Sequence, residues 1–129
     1  MANKCELVGY RVPNLMYDVQ IRDRTKKARQ ISFENHLRLS MSEKEPDRAL
    51  VSVQTRANDA DGEIKYAIEV QGIFRILDAD LTMEERDKLL KEEGFRVLYA
   101  KMREVLENVE KAVGQKLPPL PDQKDMTLE

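Results

Sequence analysis

Two hydrophobic periods divide this sequence. Before about Phe74, apolar and polar residues alternate, a pattern typical of strands with one dry face. The alternation is clearest in residues 31–41 and 64–70, and it also occurs in 15–22 and 49–55. After Thr82 the apolar residues are spaced three or four positions apart, which predicts helices. The chain is therefore expected to form a sheet followed by packed helices.

Turn-forming residues separate the predicted strands. Pro46-Asp47 and the polar segment 58–62 each mark a reversal of the chain, and short turns between successive strands favour antiparallel pairing. The N-terminal segment 4–12 ends at Pro13, which cannot donate a hydrogen bond in a central strand. The pattern predicts four strands, or five if segment 4–12 forms a short strand of its own.

The second half predicts a short helix and a long one. Thr82 and Glu85 have capping-box spacing, so a helix is expected to begin there and to stop at Gly94, a residue that tolerates a left-handed helix end. A second helix, 95–113, is expected to end at Gly114 and to be roughly 28 Å long. Its apolar stripe contains Leu98, Met102, Val105, Leu106, Val109 and Val113.

These elements predict one α+β domain over residues 1–121. Its antiparallel sheet carries a short helix and a long C-terminal helix packed on one face. The other face of the sheet is polar and is expected to meet water or a polar partner. Residues 117–121 are proline-rich and extended. Residues 122–129 are expected to form a polar, disordered tail, part of which has the character of an expression tag.

Composition narrows the classes of function. The 129 residues include 22 Lys and Arg against 24 Asp and Glu, so the clustered positive excess of a nucleic-acid binder is missing. The basic cluster 22–29 is interpreted as a solvated turn, with a patch for an anionic partner as the alternative. No stretch approaches the roughly 20 apolar residues of a membrane span, and no signal peptide is recognisable. A single Cys5 fits a reducing cytoplasm.

The inventory of reactive residues predicts a protein that is not an enzyme. One histidine and one cysteine are too few for a structural zinc site, and the five glycines form no phosphate-binding loop. His36 lies in a strand between Glu34 and Arg38, and it is interpreted as a solvated residue. The acidic segment 58–63 is interpreted as a hairpin turn and not as a calcium loop. No cofactor and no metal are expected.

One segment resembles a known family. Residues 69–76 read Glu-Val-Gln-Gly-Ile-Phe-Arg-Ile, and the long helix opens with Leu98-Tyr99 followed by Arg103-Glu104. The order and spacing of these motifs resemble the bacterial protein-export chaperone SecB over about residues 31–120. The chain departs from the family pattern at Phe95-Arg96 and Ala100, where SecB proteins usually have Asn and Pro. It also ends without the family's final apolar helix and acidic tail, so the chain is best described as a divergent SecB-like protein.

The resemblance implies an ATP-independent chaperone, or holdase, for unfolded polypeptides or export preproteins. It implies a homodimer or homotetramer, and it places Glu69 at the surface that meets the translocase motor ATPase, SecA. Because the acidic tail is missing, that motor contact is expected to be weak or absent. The alternative is an interaction module of the same fold with one specific partner, such as a toxin–antitoxin-associated chaperone. The residues expected to bind clients are Leu77, Leu81, Met83, Phe95, Leu117 and Leu120.

Overall fold

The computed structural model describes residues 4–20, 31–41, 44–60, 62–114 and Leu120. Four strands come first: β1 (Cys5–Val19), β2 (Ile31–Met41), β3 (Arg48–Asp59) and β4 (Ile64–Ile76). They are followed by α1 (Met83–Leu89), a π-helical segment (Leu90–Gly94) and α2 (Phe95–Val113). The basic cluster 22–29 and residues 121–129 lie outside the described residues.

The four strands form one antiparallel sheet with the order β1-β4-β3-β2. The predicted pairing of successive strands is confirmed for β2 with β3 and for β3 with β4. The first strand instead pairs with β4, so β1 and β2 lie at opposite edges of the sheet.

The N-terminal strand is a single element, which removes the five-stranded alternative. The segment ending at Val12 and the alternating stretch after Asn14 are both parts of β1. The register of β1 against β4 shifts between Leu7 and Gly9 and again between Arg11 and Asn14, and the second shift contains Pro13. A bulge in an edge strand accommodates a proline, because the missing N–H is not needed for the ladder there.

The start of the first helix is confirmed, whereas its predicted end is wrong. The backbone N–H of Glu85 donates to Thr82 Oγ1 at 3.1 Å, and the N–H of Thr82 donates to Glu85 Oε1 at 3.2 Å. The chain stays helical through Gly94, whose φ of −60° is that of an ordinary helix. This glycine allows close packing on β3, since a Cβ atom would lie 3.2 Å from Val51 Cγ1.

The long helix has the predicted length and ends as predicted. Gly114 adopts the left-handed conformation, with φ of 69°, and its N–H donates to the carbonyl of Glu110. Leu98, Met102 and Leu106 of the predicted stripe are buried against the sheet. Val113 was also assigned to that stripe, but it is 49% exposed in the last turn of the helix.

The core lies between the helices and one face of the sheet, here called the covered face. Alternate side chains of β3 and β4 point into it and are almost fully shielded from water: Val51, Val53, Ala57, Tyr66, Ile68, Val70 and Phe74. The side chains between them form the opposite, open face, on which no described element is packed. The apolar covered face therefore packs against the helices, and the polar open face of the same sheet stays exposed.

Candidate functional site

The loop between β4 and α1 is held in place by one arginine. The guanidinium of Arg86 donates hydrogen bonds to three backbone carbonyls: those of Pro46 at 2.9 Å, Leu81 at 3.2 Å and Ala79 at 3.3 Å. At the start of the loop, the N–H of Leu77 donates to the carbonyl of Lys4 at 2.7 Å. The apolar side chains of this loop are therefore presented from a fixed backbone.

Two of the predicted client-binding residues are exposed at this loop. Leu77 is 47% exposed and Met83, the first residue of α1, is 64% exposed. Leu81 lies between them and is half-buried, because it packs against the core. These three residues define the Leu77–Met83 surface. Large apolar side chains exposed on a fixed backbone are suited to contact with apolar segments of another chain.

The other predicted client-binding residues lie in different surroundings. Phe95 is only 3% exposed, and its ring stacks on that of Tyr99 with the centroids 5.2 Å apart. Leu120 is buried and belongs to the core. Leu117 lies outside the described residues. In this chain Phe95 and Leu120 therefore hold the fold together, and their role as client contacts stays a prediction.

Glu69 lies on the open face, and its carboxylate accepts hydrogen bonds from neighbouring strands. Ser52 Oγ donates to Glu69 Oε2 at 2.7 Å, and Asn14 Nδ2 donates to Oε1 at 2.8 Å. These hydrogen bonds, aided by the charges of Arg38 and Arg11, lower the pKa of Glu69 below its usual value. The carboxylate thus ties β1, β3 and β4 together across the sheet surface.

Further exposed apolar residues were not recognised from the sequence. On β1 these are Val8, Tyr10, Leu15 and Met16. Tyr10 and Leu15 pair with Gly72 and Ile68 of the covered face, and alternation does not reveal that an edge strand is only partly covered by the helices. Ile73 is also exposed, and here a signal was available. Alternation along β4 places it on the open face, in line with Lys65, Glu69 and Arg75.

The described residues offer little reactive chemistry. Within them, no group of three or more His, Cys, Asp or Glu side chains is placed to hold a metal ion. Burial raises the pKa of the Cys5 thiol, which disfavours the nucleophilic thiolate. Among the helices described, none is both long and apolar enough to cross a membrane.

Comparison with known proteins identifies the fold. No protein-family model and no curated protein matches the sequence. Among solved structures, the chain is similar to the SecB-like chaperone Rv1957 of Mycobacterium tuberculosis, in complex with a ChAD peptide from the antitoxin HigA1 (Rv1956). The TM-score is 0.68 with 14% identity, over 93% of this chain and 86% of that one. The predicted α+β architecture and the predicted resemblance to SecB-like proteins are confirmed at the level of the fold.

Proposed function

We propose that this chain, which has the fold of a SecB-like chaperone, binds unfolded polypeptides and holds them without ATP. The observation that carries the proposal is the Leu77–Met83 surface, where large apolar side chains are exposed on a loop fixed by Arg86. A Met or Leu side chain covered by a client contributes about 1.5–3 kcal/mol when fully buried. Binding the unfolded state lowers its free concentration and so delays folding and aggregation.

Assembly into a homodimer or homotetramer is part of the proposal. One side of β1 pairs with β4, and no described strand pairs with its other side. The exposed residues Tyr10, Leu15 and Met16 lie along this strand. An open edge with apolar side chains favours pairing with the same strand of a second copy. Such an assembly would place the client-binding surfaces of several copies in one particle. The proposed chaperone acts in the cytoplasm and uses no catalytic step.

A second candidate function is service to a single partner. The similar chaperone from Mycobacterium tuberculosis is in complex with an antitoxin peptide, which favours a specific peptide as the ligand of this chain too. Export is the other version of the role, with preproteins as clients and SecA as the receiving motor. Glu69 is the residue proposed to contact SecA, and each of its carboxylate oxygens already accepts one hydrogen bond within the sheet.

The experiment is suppression of aggregation of a chemically unfolded client at a stoichiometric ratio, with and without ATP. Replacing both Leu77 and Met83 with Ser is expected to weaken client binding on the order of tenfold to a hundredfold, because a client newly buries only the exposed part of each side chain. Val113→Ser is the matched control, since Val113 is as exposed as Leu77 but lies at the far end of α2. If both variants protect the client equally, the Leu77–Met83 surface is not the binding site.

A pull-down from lysate under the same conditions separates the two candidate functions. Capture of many unfolded proteins favours the holdase, and capture of one folded partner favours the interaction module. Export is tested separately by binding to purified SecA, for which Glu69→Gln should reduce the affinity without changing client protection.

A further inference from the structure

A pair of aliphatic side chains interrupts the polar open face. Leu50 of β3 and Ile73 of β4 are cross-strand neighbours, 39% and 44% exposed. The next residue in this row, on β1, is Gly9, which has no side chain to cover Ile73. A hollow of about 430 Å³ lies over this position, lined by Gly9, Arg11, Leu50, Gln71, Ile73 and Tyr10. The pair is here called the Leu50–Ile73 strip.

Two more hollows meet at the same strip. One of about 290 Å³ extends from Leu50 and Ile73 toward Arg48 and Glu45, and one of about 530 Å³ extends from Leu50 toward Arg38 and Glu69. Apolar exposure and concavity therefore coincide at one end of the open face. This combination is what a docked side chain needs, and scattered surface leucines lack it.

Four arginines lie in the rows on either side of the strip. Arg48 and Arg75 are cross-strand neighbours on one side. On the other side, Arg38 of β2 and Arg11 of β1 stand at the two ends of a row that also contains Ser52 and Gln71. Arg75 pairs with Glu6, Arg11 Nε donates to Gln71 Oε1, and Glu69 and Glu45 are the other nearby acids.

The spacing of these groups defines the partner. An extended peptide places every second side chain on the same side, about 6.6–6.8 Å apart. The arginine rows each stand two residues from the strip along the strands. When an apolar side chain of the peptide lies on the strip, the peptide residues two positions before and two positions after it lie over the two arginine rows. Acidic residues at those two positions would therefore face the arginines. Guanidinium groups bind carboxylates with two parallel hydrogen bonds, which favours an acidic peptide at these rows.

We infer that the Leu50–Ile73 strip and its flanking arginines are a docking surface for an extended acidic peptide with the pattern acid-x-apolar-x-acid. A nucleic acid fits less well, because its phosphate backbone offers no apolar group to cover the strip between the arginine rows. The surface uses residues other than Leu77 and Met83, so it adds a second binding specificity to the proposed chaperone.

The test is binding of a fluorescent peptide containing Glu-Ser-Leu-Ser-Glu, measured by anisotropy with the full chain. Gly9→Trp should fill the first hollow, and it is compatible with folding because a Cβ atom at Gly9 meets nothing within 4 Å. Gly9→Trp is expected to weaken peptide binding on the order of tenfold. The double variant with both Arg38→Glu and Arg48→Glu is expected to weaken it by about the same factor. Arg56→Glu combined with Lys65→Glu makes the same charge change further along the open face, and it should bind within about twofold of the unchanged protein.

Two peptide controls test the pattern itself. A peptide with Lys in place of both Glu residues, and one with Ser in place of Leu, should each bind on the order of tenfold more weakly. The inference is overturned if these peptides bind as well as the first, or if the two double variants lose equal affinity.

Denaturation midpoints and client protection are measured on the same variants. Gly9→Trp should keep both, which separates this inference from the chaperone proposal. If Gly9→Trp weakens client protection as much as peptide binding, the strip belongs to the client surface and no separate peptide site exists. If the Arg38/Arg48 double variant changes the sedimentation mass, the strip is an interface between copies, which also overturns the inference.

Discussion

The covered and open faces of the sheet are built from neighbouring residues of the same strands, yet they follow different rules. Val51 is fully buried beneath the π-helical segment (Leu90–Gly94), and the adjacent Leu50 is exposed on the open face. On the covered face the residue types are explained by packing, and by a hydrogen bond where the buried side chains are polar. On the open face packing requires little, so an exposed Leu50–Ile73 pair or an arginine row needs another explanation. The difference shows where to look for function in a protein with so few reactive groups.

The largest effect should come from placing a charge on the covered face. Val51→Asp buries a carboxylate without a partner, which costs about 3–5 kcal/mol and should leave little folded protein. Leu50→Asp puts the same group one residue away on the open face, and it should cost less than about 1 kcal/mol. Urea denaturation of both variants measures the difference. Similar losses would show that the two faces are assigned wrongly.

A buried polar pair on the covered face should show a smaller effect. Thr55 Oγ1 donates to Asn35 Oδ1 at 2.7 Å, and both side chains are buried. Thr55→Val removes the donor and should cost about 1–3 kcal/mol, because the Asn35 carbonyl loses its partner. Combining Thr55→Val with Asn35→Leu removes both polar groups and should recover part of the loss. Denaturation of the single and double variants would reveal strictly additive losses if the hydrogen bond had no role.

The smallest effect concerns Glu69 on the open face. Its pKa is lowered mainly by the hydrogen bonds from Ser52 and Asn14, so its ionised form stabilises the folded protein. That stabilisation is complete above the unfolded pKa of about 4.3 and is lost as the pH falls through the lower folded value. Glu69→Gln should therefore be less stable at neutral pH and should approach the unchanged protein in acid. A stability difference that stays constant from pH 7 to pH 3 would contradict this linkage.

Much of the fold was predictable because alternation reports directly on which side of a strand is dry. The faces of β2, β3 and β4 follow from it, as do the capping box at Thr82 and the helix end at Gly114. The pairing of β1 with β4 was not predictable in this way. Alternation specifies the face of a residue and contains no information about which strand lies next to it.

The burial of Phe95 was not recognised from the sequence, and the reason is local. Gly94 is compatible with a helix end and also with a close helix–sheet contact, and the sequence alone favours the first. A helix end at Gly94 would separate Phe95 from the apolar stripe of the helix. In fact Phe95 lies three residues before Leu98 and seven before Met102, so the same spacing extended backwards predicts its burial. Leu120 comes after a proline-rich stretch of sequence that has no hydrophobic periodicity. The sequence therefore gives no signal that Leu120 is buried.

The pairing of β1 with β4 has a consequence for the synthesis of the protein. Arg11 and Gln71 stand side by side in the sheet although they are sixty residues apart in the chain. At ribosomal rates of about 5–20 residues per second, β1 waits roughly 3–12 s before its partner strand is made. During that interval the nascent chain exposes a strand of fifteen residues with no partner for its backbone. A protein proposed to hold unfolded polypeptides is thus expected to pass through an unfolded, strand-exposing state itself.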